Sequence, residues 1–125
     1  MTIILAYVEG TEGDAAAREA VEECVLRGES LIAVSALREV VLDPERVRQH
    51  LLEVAPAAAG VDITVEAPDL HDPSDAIIQE AQRVNASRIV VGLHRRSRVG
   101  KMLLGSTAQR ILLESTCSVV AVRSN

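Results

Sequence analysis

Apolar residues fall along this chain in short continuous runs, separated by longer stretches in which they recur every three or four positions. The runs are Thr2–Val8 (TIILAYV), Ser30–Ala36 (SLIAVSA), Val61–Ala67 (VDITVEA), Arg88–Gly92 (RIVVG) and Cys117–Arg123 (CSVVAVR). Their length and β-branched content predict five strands. Helical periodicity fills the gaps. Asp14–Arg27 puts Ala17, Ala20, Val21, Cys24 and Val25 on one stripe, with Asp14 as the expected cap and Gly28 past the end. Asp43-Pro44 opens a second helix, striped by Val47, Leu51 and Val54, which Pro56 ends or kinks. Asp72-Pro73-Ser74-Asp75 starts a third, carrying Ala76, Ile77, Glu80, Ala81 and Val84. A fourth covers roughly Ser106–Glu114.

Strands alternating with helices through short loops imply an α/β fold with a parallel sheet and helices on both faces. The expected architecture is an open, doubly wound, five-stranded sheet of order 3-2-1-4-5, forming one domain over residues 1–125. Uninterrupted apolar strands agree, because parallel strands are buried on both sides. Val61–Ala67 alternates more and belongs nearer an edge. There are no internal repeats or linkers. In such sheets ligands bind beyond the carboxyl ends of the strands, where the strand order reverses. With that order, the crevice lies between the first and fourth strands, and the loops Glu9–Gly13 and Gly92–Gly105 face each other across it.

Composition narrows the classes. The 125 residues are 48% hydrophobic and 25% charged, which suits one globular domain. Aromatic content is 1%, with no Phe, no Trp and Tyr7 alone. That excludes modules that stack bases on sheet aromatics, and it excludes aromatic cages. The net charge of −5 argues against general nucleic-acid binding. It is unevenly spread: residues 1–80 carry 17 acids and 5 bases, residues 81–125 carry 8 bases and one acid, Glu114. Cys24 and Cys117 lack metal-ligand spacing and read as small core residues. No positive segment precedes the first apolar run, and no run is long enough to span a bilayer. A cytoplasmic, reduced protein without a membrane partner is the expectation.

The chemistry concentrates in the segment from Gly92 to Thr107. Gly92 leaves a buried strand where a ligand can approach the backbone. Gly105-Ser106 opens a helix, whose free N–H groups and positive dipole end suit a phosphate. His94, Arg95, Arg96, Arg98 and Lys101 lie between them. Arg binds phosphate bidentately and Lys acts as a point charge. A solvated basic loop with Ser106 as an ordinary cap is the competing reading. Gly100-Lys101 is no P-loop, since Arg95 occupies the first glycine position and Met102 follows the lysine.

This segment resembles the signature of the universal stress proteins: a glycine, two residues, a second glycine, nine residues, then Gly-Ser or Gly-Thr. Gly92, Arg95, Gly105 and Ser106 stand at those positions. LLGSTAQRILLESTCSVVAVR resembles the family's final helix and strand, and ILAYVEGTE its first strand and turn. The resemblance implies ATP as ligand, with magnesium as its companion, between the first strand's end and the basic loop. By position, Tyr7, Val8 and Glu9 would line the adenosine half, with Ala36 at the second strand's end. Val91 and Gly92 would flank the base or ribose, and His94, Arg95, Gly105, Ser106 and Thr107 would follow the phosphates. Two residues depart from the pattern. Glu9 replaces the usual Asp, keeping a carboxylate for a ribose hydroxyl or a metal one methylene farther out. Arg95 replaces the second glycine and either adds a phosphate contact or fills the phosphates' space.

The resemblance also implies a stress-response regulatory module working as a homodimer through Cys117–Arg123. A scaffold acting through protein contacts alone is the alternative, favoured by Arg95. Slow ATP hydrolysis is the most enzymatic activity expected, because no histidine is paired with a nucleophile and no general base is evident. No catalytic residue or protein-held metal is assigned. Asp69, His71, Asp72 and Asp75 form a small acidic cluster better explained by helix capping, and His50, beside Arg46 and Arg48, reads as a surface residue.

Overall fold

In the computed structural model, which describes residues 1–93 and 104–124, the expected strands form one sheet. They are β1 (Thr2–Tyr7), β2 (Ser30–Ser35), β3 (Ile63–Val65), β4 (Arg88–Gly92) and β5 (Ser118–Val122). The order is β3-β2-β1-β4-β5, and every pairing is parallel. The helices are α1 (Thr11–Arg27), α2 (Pro44–Val54), α3 (Pro73–Arg83) and α4 (Ser106–Glu114), with a 3-10 turn at Pro56–Gly60 after α2. Among the described residues, no helix is long and apolar enough to cross a membrane.

β1 is central, and its alternating residues feed two separate cores. Ile3, Leu5 and Tyr7 face α1 and α2, packing with Ala16, Ala20, Val21, Val47 and Leu51. Ile4 and Ala6 face the other side, packing with Ile77, Ile89, Val91 and Ile111 of α3, β4 and α4. This two-sided winding is the doubly wound arrangement. The sheet-facing stripe of α1 is largely small: Ala16, Ala17, Ala20, Val21 and Cys24 are at most 2% exposed, which lets the helix sit close to β-branched strands without aromatic filling.

Local signals account for most helix ends. Asp43 accepts from the Glu45 N–H ahead of Pro44, and Asp72 accepts from the N–H groups of Ser74 and Asp75 ahead of Pro73. Gly28 closes α1 in the left-handed conformation at φ 67°.

Four expectations change. Asp14 does not cap α1. The helix begins a turn earlier at Thr11 behind Gly10, and Asp14 uses its carboxylate on His50 at 2.7 Å. His50 is accordingly half-buried, its side chain 18% exposed, and is not a surface residue. Val25 is exposed, and Ala16 joins Ala17, Ala20, Val21 and Cys24 on the buried stripe. β3 is three residues long instead of seven, because only Leu31 to Ala33 of β2 offer it partners. β5 forms the opposite edge and is half-buried from Val119 to Val122.

Candidate functional site

The order reverses at β1, between β2 and β4, and a crevice of about 390 Å³ opens there beyond the strands' carboxyl ends. That volume lies in the range of small-molecule sites. Ala6, Val91 and Ala108 form its floor, and Val8, Ala36, Leu37 and Leu93 its apolar walls. Glu9 and Glu12 supply acid on one rim, and Thr107 at the start of α4 lies on the other.

Two glycines hold the rim together. A Cβ on Gly13 would lie 1.7 Å from the Val8 carbonyl oxygen, and one on Gly92 would lie 2.5 Å from that of Glu12. The first turn of α1 therefore rests directly on the ends of β1 and β4. Gly92 thus makes room for α1 while also lining the crevice.

Among the described residues α4 starts behind Gly105 without a side-chain cap, and Ser106 is its first helical residue, not the cap of the competing reading. Its first N–H groups meet the crevice as an electropositive end. Ser106 opens onto an adjoining cleft of about 250 Å³, which shares Ala36, Leu37 and Thr107 with the crevice. Cations there are already matched: Arg38 pairs with Asp72 at 3.1 Å, and Arg110 with Asp75 and Glu114.

The structure brings Val8, Glu9, Ala36, Val91, Gly92 and Thr107 to one crevice, with Ser106 beside it. Gly105 immediately precedes the uncapped helix start. His94, Arg95 and the rest of the basic run through Lys101 lie outside the described residues. Tyr7 is not in the crevice wall. Strand neighbours point to opposite faces, so Tyr7 turns with Ile3 and Leu5 into the α1–α2 core, 3% exposed. There its ring meets His50 edge-on at a centroid distance of 6.1 Å. Burial, followed by the Glu9 charge, pushes its phenol above the usual range.

Glu9 is tied down. Arg46 donates from Nε to Oε2 at 3.1 Å and from Nη2 to Oε1 at 3.0 Å. The Tyr7 hydroxyl donates to Oε2 at 3.4 Å. The Arg46 guanidinium holds the Glu9 carboxyl below the usual carboxylate range. Among the described residues, no group of three or more His, Cys, Asp or Glu side chains is placed to hold a metal ion. Sequence reasoning missed Ala6, Glu12, Gly13, Leu37, Leu93 and Ala108 as crevice residues. The second glycine of EGTEG was a usable signal for Gly13, though the segment read as a turn.

An open, doubly wound α/β domain with an apolar crevice at its switch point and a bare helix start on the rim defines the class. The universal stress protein family model matches residues 1–123, and the chain belongs to that family. A universal stress protein of Mycolicibacterium smegmatis is 30% identical, covering 97% of this chain and 96% of that protein. A universal stress protein solved in complex with cAMP matches with a TM-score of 0.76 and 22% identity, over 100% of this chain and 98% of that one. The Archaeoglobus fulgidus protein in complex with dAMP matches with a TM-score of 0.68 and 19% identity, over 97% and 95%. At those identities the two structures speak for the fold.

Proposed function

We propose that this chain is a cytoplasmic stress-response module that binds an adenine nucleotide, ATP included, in the switch-point crevice and signals by occupancy. The observation that carries the reading is the joining of an aliphatic crevice to the uncapped start of α4. Val8, Ala36 and Val91 offer the apolar packing an adenine ring needs, with backbone groups for its edge. Glu9 is the acceptor for ribose hydroxyls. The N–H groups that follow Gly105, with Ser106 and Thr107, take the phosphates, and His94 and Arg95 border the same path in sequence. Any magnesium would arrive on the phosphates, since Glu9 is already matched by Arg46. The relatives bound to cAMP and dAMP support an adenine ligand in this fold. A homodimer through Cys117–Arg123 fits the edge position of β5, which pairs with β4 alone among the described residues.

Isothermal titration of the purified chain with ATP, and with Gly105→Val, tests the site. The variant is expected to lose at least about tenfold in affinity while keeping its circular dichroism, since a β-branched side chain would crowd the helix start. Unchanged affinity in the variant would sink the proposed phosphate position. No binding by the unaltered chain would hand the function to the protein-contact scaffold.

A further inference from the structure

We propose that Arg46 is the positioning residue of the crevice: by gripping both oxygens of Glu9 it holds that carboxylate, charge-balanced, as the acceptor for a ligand's sugar hydroxyls. The inference rests on reading the crevice as a nucleotide site, and it names the residue that sets the choice of sugar.

The geometry is a side-on fork, two N–H groups of one planar guanidinium on two oxygens of one carboxylate, at 3.1 and 3.0 Å. Tyr7 donates to Oε2 as well. Among the described residues, Oε1 takes no donor except Arg46. A carboxylate oxygen accepts two hydrogen bonds, so Oε1 keeps a lone pair at the mouth of the crevice. Without the fork, Glu9, a three-torsion side chain 36% exposed even with Arg46 in place, would keep only the long Tyr7 contact to define its carboxylate.

Stability does not explain the pair. Arg46 is 70% exposed, and ion pairs so open to water contribute little while costing side-chain entropy. Yet the platform behind it is firm. Val47 and Leu51 are buried in the α1–α2 core. His50, one turn along α2 from Arg46, bonds Asp14 of α1 at 2.7 Å and abuts the Tyr7 ring. α2 is thus fastened to α1 and β1 beside the crevice, and Arg46 reaches Glu9 from a fixed base. The fork also cancels a negative charge that would otherwise repel an approaching phosphate.

The test compares AMP with 2′,3′-dideoxy-AMP by calorimetry on the unaltered chain, Arg46→Met, Arg46→Lys and Glu9→Gln. A hydrogen bond to a charged acceptor predicts that the unaltered chain prefers AMP by about tenfold. Arg46→Met should narrow that preference to about twofold and weaken AMP binding, with its urea midpoint nearly unchanged because the pair is exposed. Arg46→Lys should recover part of the preference, and Glu9→Gln should lose it. An Arg46→Met protein that keeps the full preference overturns the assignment, as does an unaltered chain that binds AMP and its dideoxy form equally. Failure of the unaltered chain to bind AMP overturns the assignment, and failure to bind ATP as well overturns the nucleotide reading too.

Discussion

Gly13→Ala makes a sharp trial of the packing at the crevice rim, because two effects oppose each other there. Alanine stabilises a helix interior over glycine by about 1 kcal/mol, and Gly13 sits in the first turn of α1. The new methyl would stand 1.7 Å from the Val8 carbonyl oxygen, 2.7 Å from its carbon and 2.8 Å from a Val8 methyl. Two of these contacts are backbone, so no side chain can swing aside, and α1 must lift by more than an ångström. Overpacking of that kind costs about 3 kcal/mol. The net expectation is a loss of about 2 kcal/mol and a melting temperature lower by roughly 8 °C for a domain of this size.

Urea unfolding followed by circular dichroism reads the change as a lower midpoint at constant slope. Gly60→Ala is the control, since nothing lies within 4 Å of a Cβ there; it should be neutral within about 0.5 kcal/mol. Gly92→Ala, at 2.5 Å from the Glu12 carbonyl oxygen, should cost less than Gly13→Ala. The double variant should cost less than the sum, because both methyls push the same turn of α1 and one lift relieves both. A Gly13→Ala protein as stable as the parent would refute the claim that α1 rests on the strand ends.

Two further outcomes follow from burial and capping. Burial, with Glu29 and Glu23 nearby, pushes the Cys24 thiol up to about 12, leaving a negligible thiolate fraction at pH 8. A thiol-reactive chromophore should therefore label Cys117 alone in the native protein and both cysteines in urea; rapid labelling of both without denaturant would contradict the burial of Cys24. Asp72→Ala removes the cap of α3 and the partner of Arg38, and should cost about 1–2 kcal/mol at pH 7. The Ser74 hydroxyl, then backbone N–H groups and Arg110, hold the Asp72 carboxyl below its usual range. Its contribution is complete above the unfolded value near pH ~4 and fades as pH falls through the folded one. Parent and variant should draw together in urea midpoint as pH falls below about 4, and a gap that stays constant down to the lowest pH at which both fold would exclude the ionised cap.

What the sequence made legible was whatever is decided within a few residues. Asp43-Pro44 and Asp72-Pro73 cap and start helices by contacts two and three positions away, so the residues announce the structure. Continuous apolar strands announce burial on both faces and with it a parallel sheet, whereas the strand order that places the crevice is not written in them. The misreadings share the opposite property. Asp14 has the right chemistry for a cap and spends it on His50, 36 positions away. Glu9 meets Arg46 across 37 positions, with nothing in either neighbourhood to mark the pair. Tyr7 was placed one residue out of phase with the crevice wall, although strand alternation from Ala6 decides its side. The scarcity of aromatics connects these cases. A sheet of aliphatic side chains faced by an alanine stripe lets α1 approach until its first turn meets the carbonyls of the strand ends. That closeness brings Asp14 within reach of α2, and α2 brings Arg46 to Glu9. The crevice's polar rim is therefore a product of how thin the core is, a property of the whole composition that no local motif expresses.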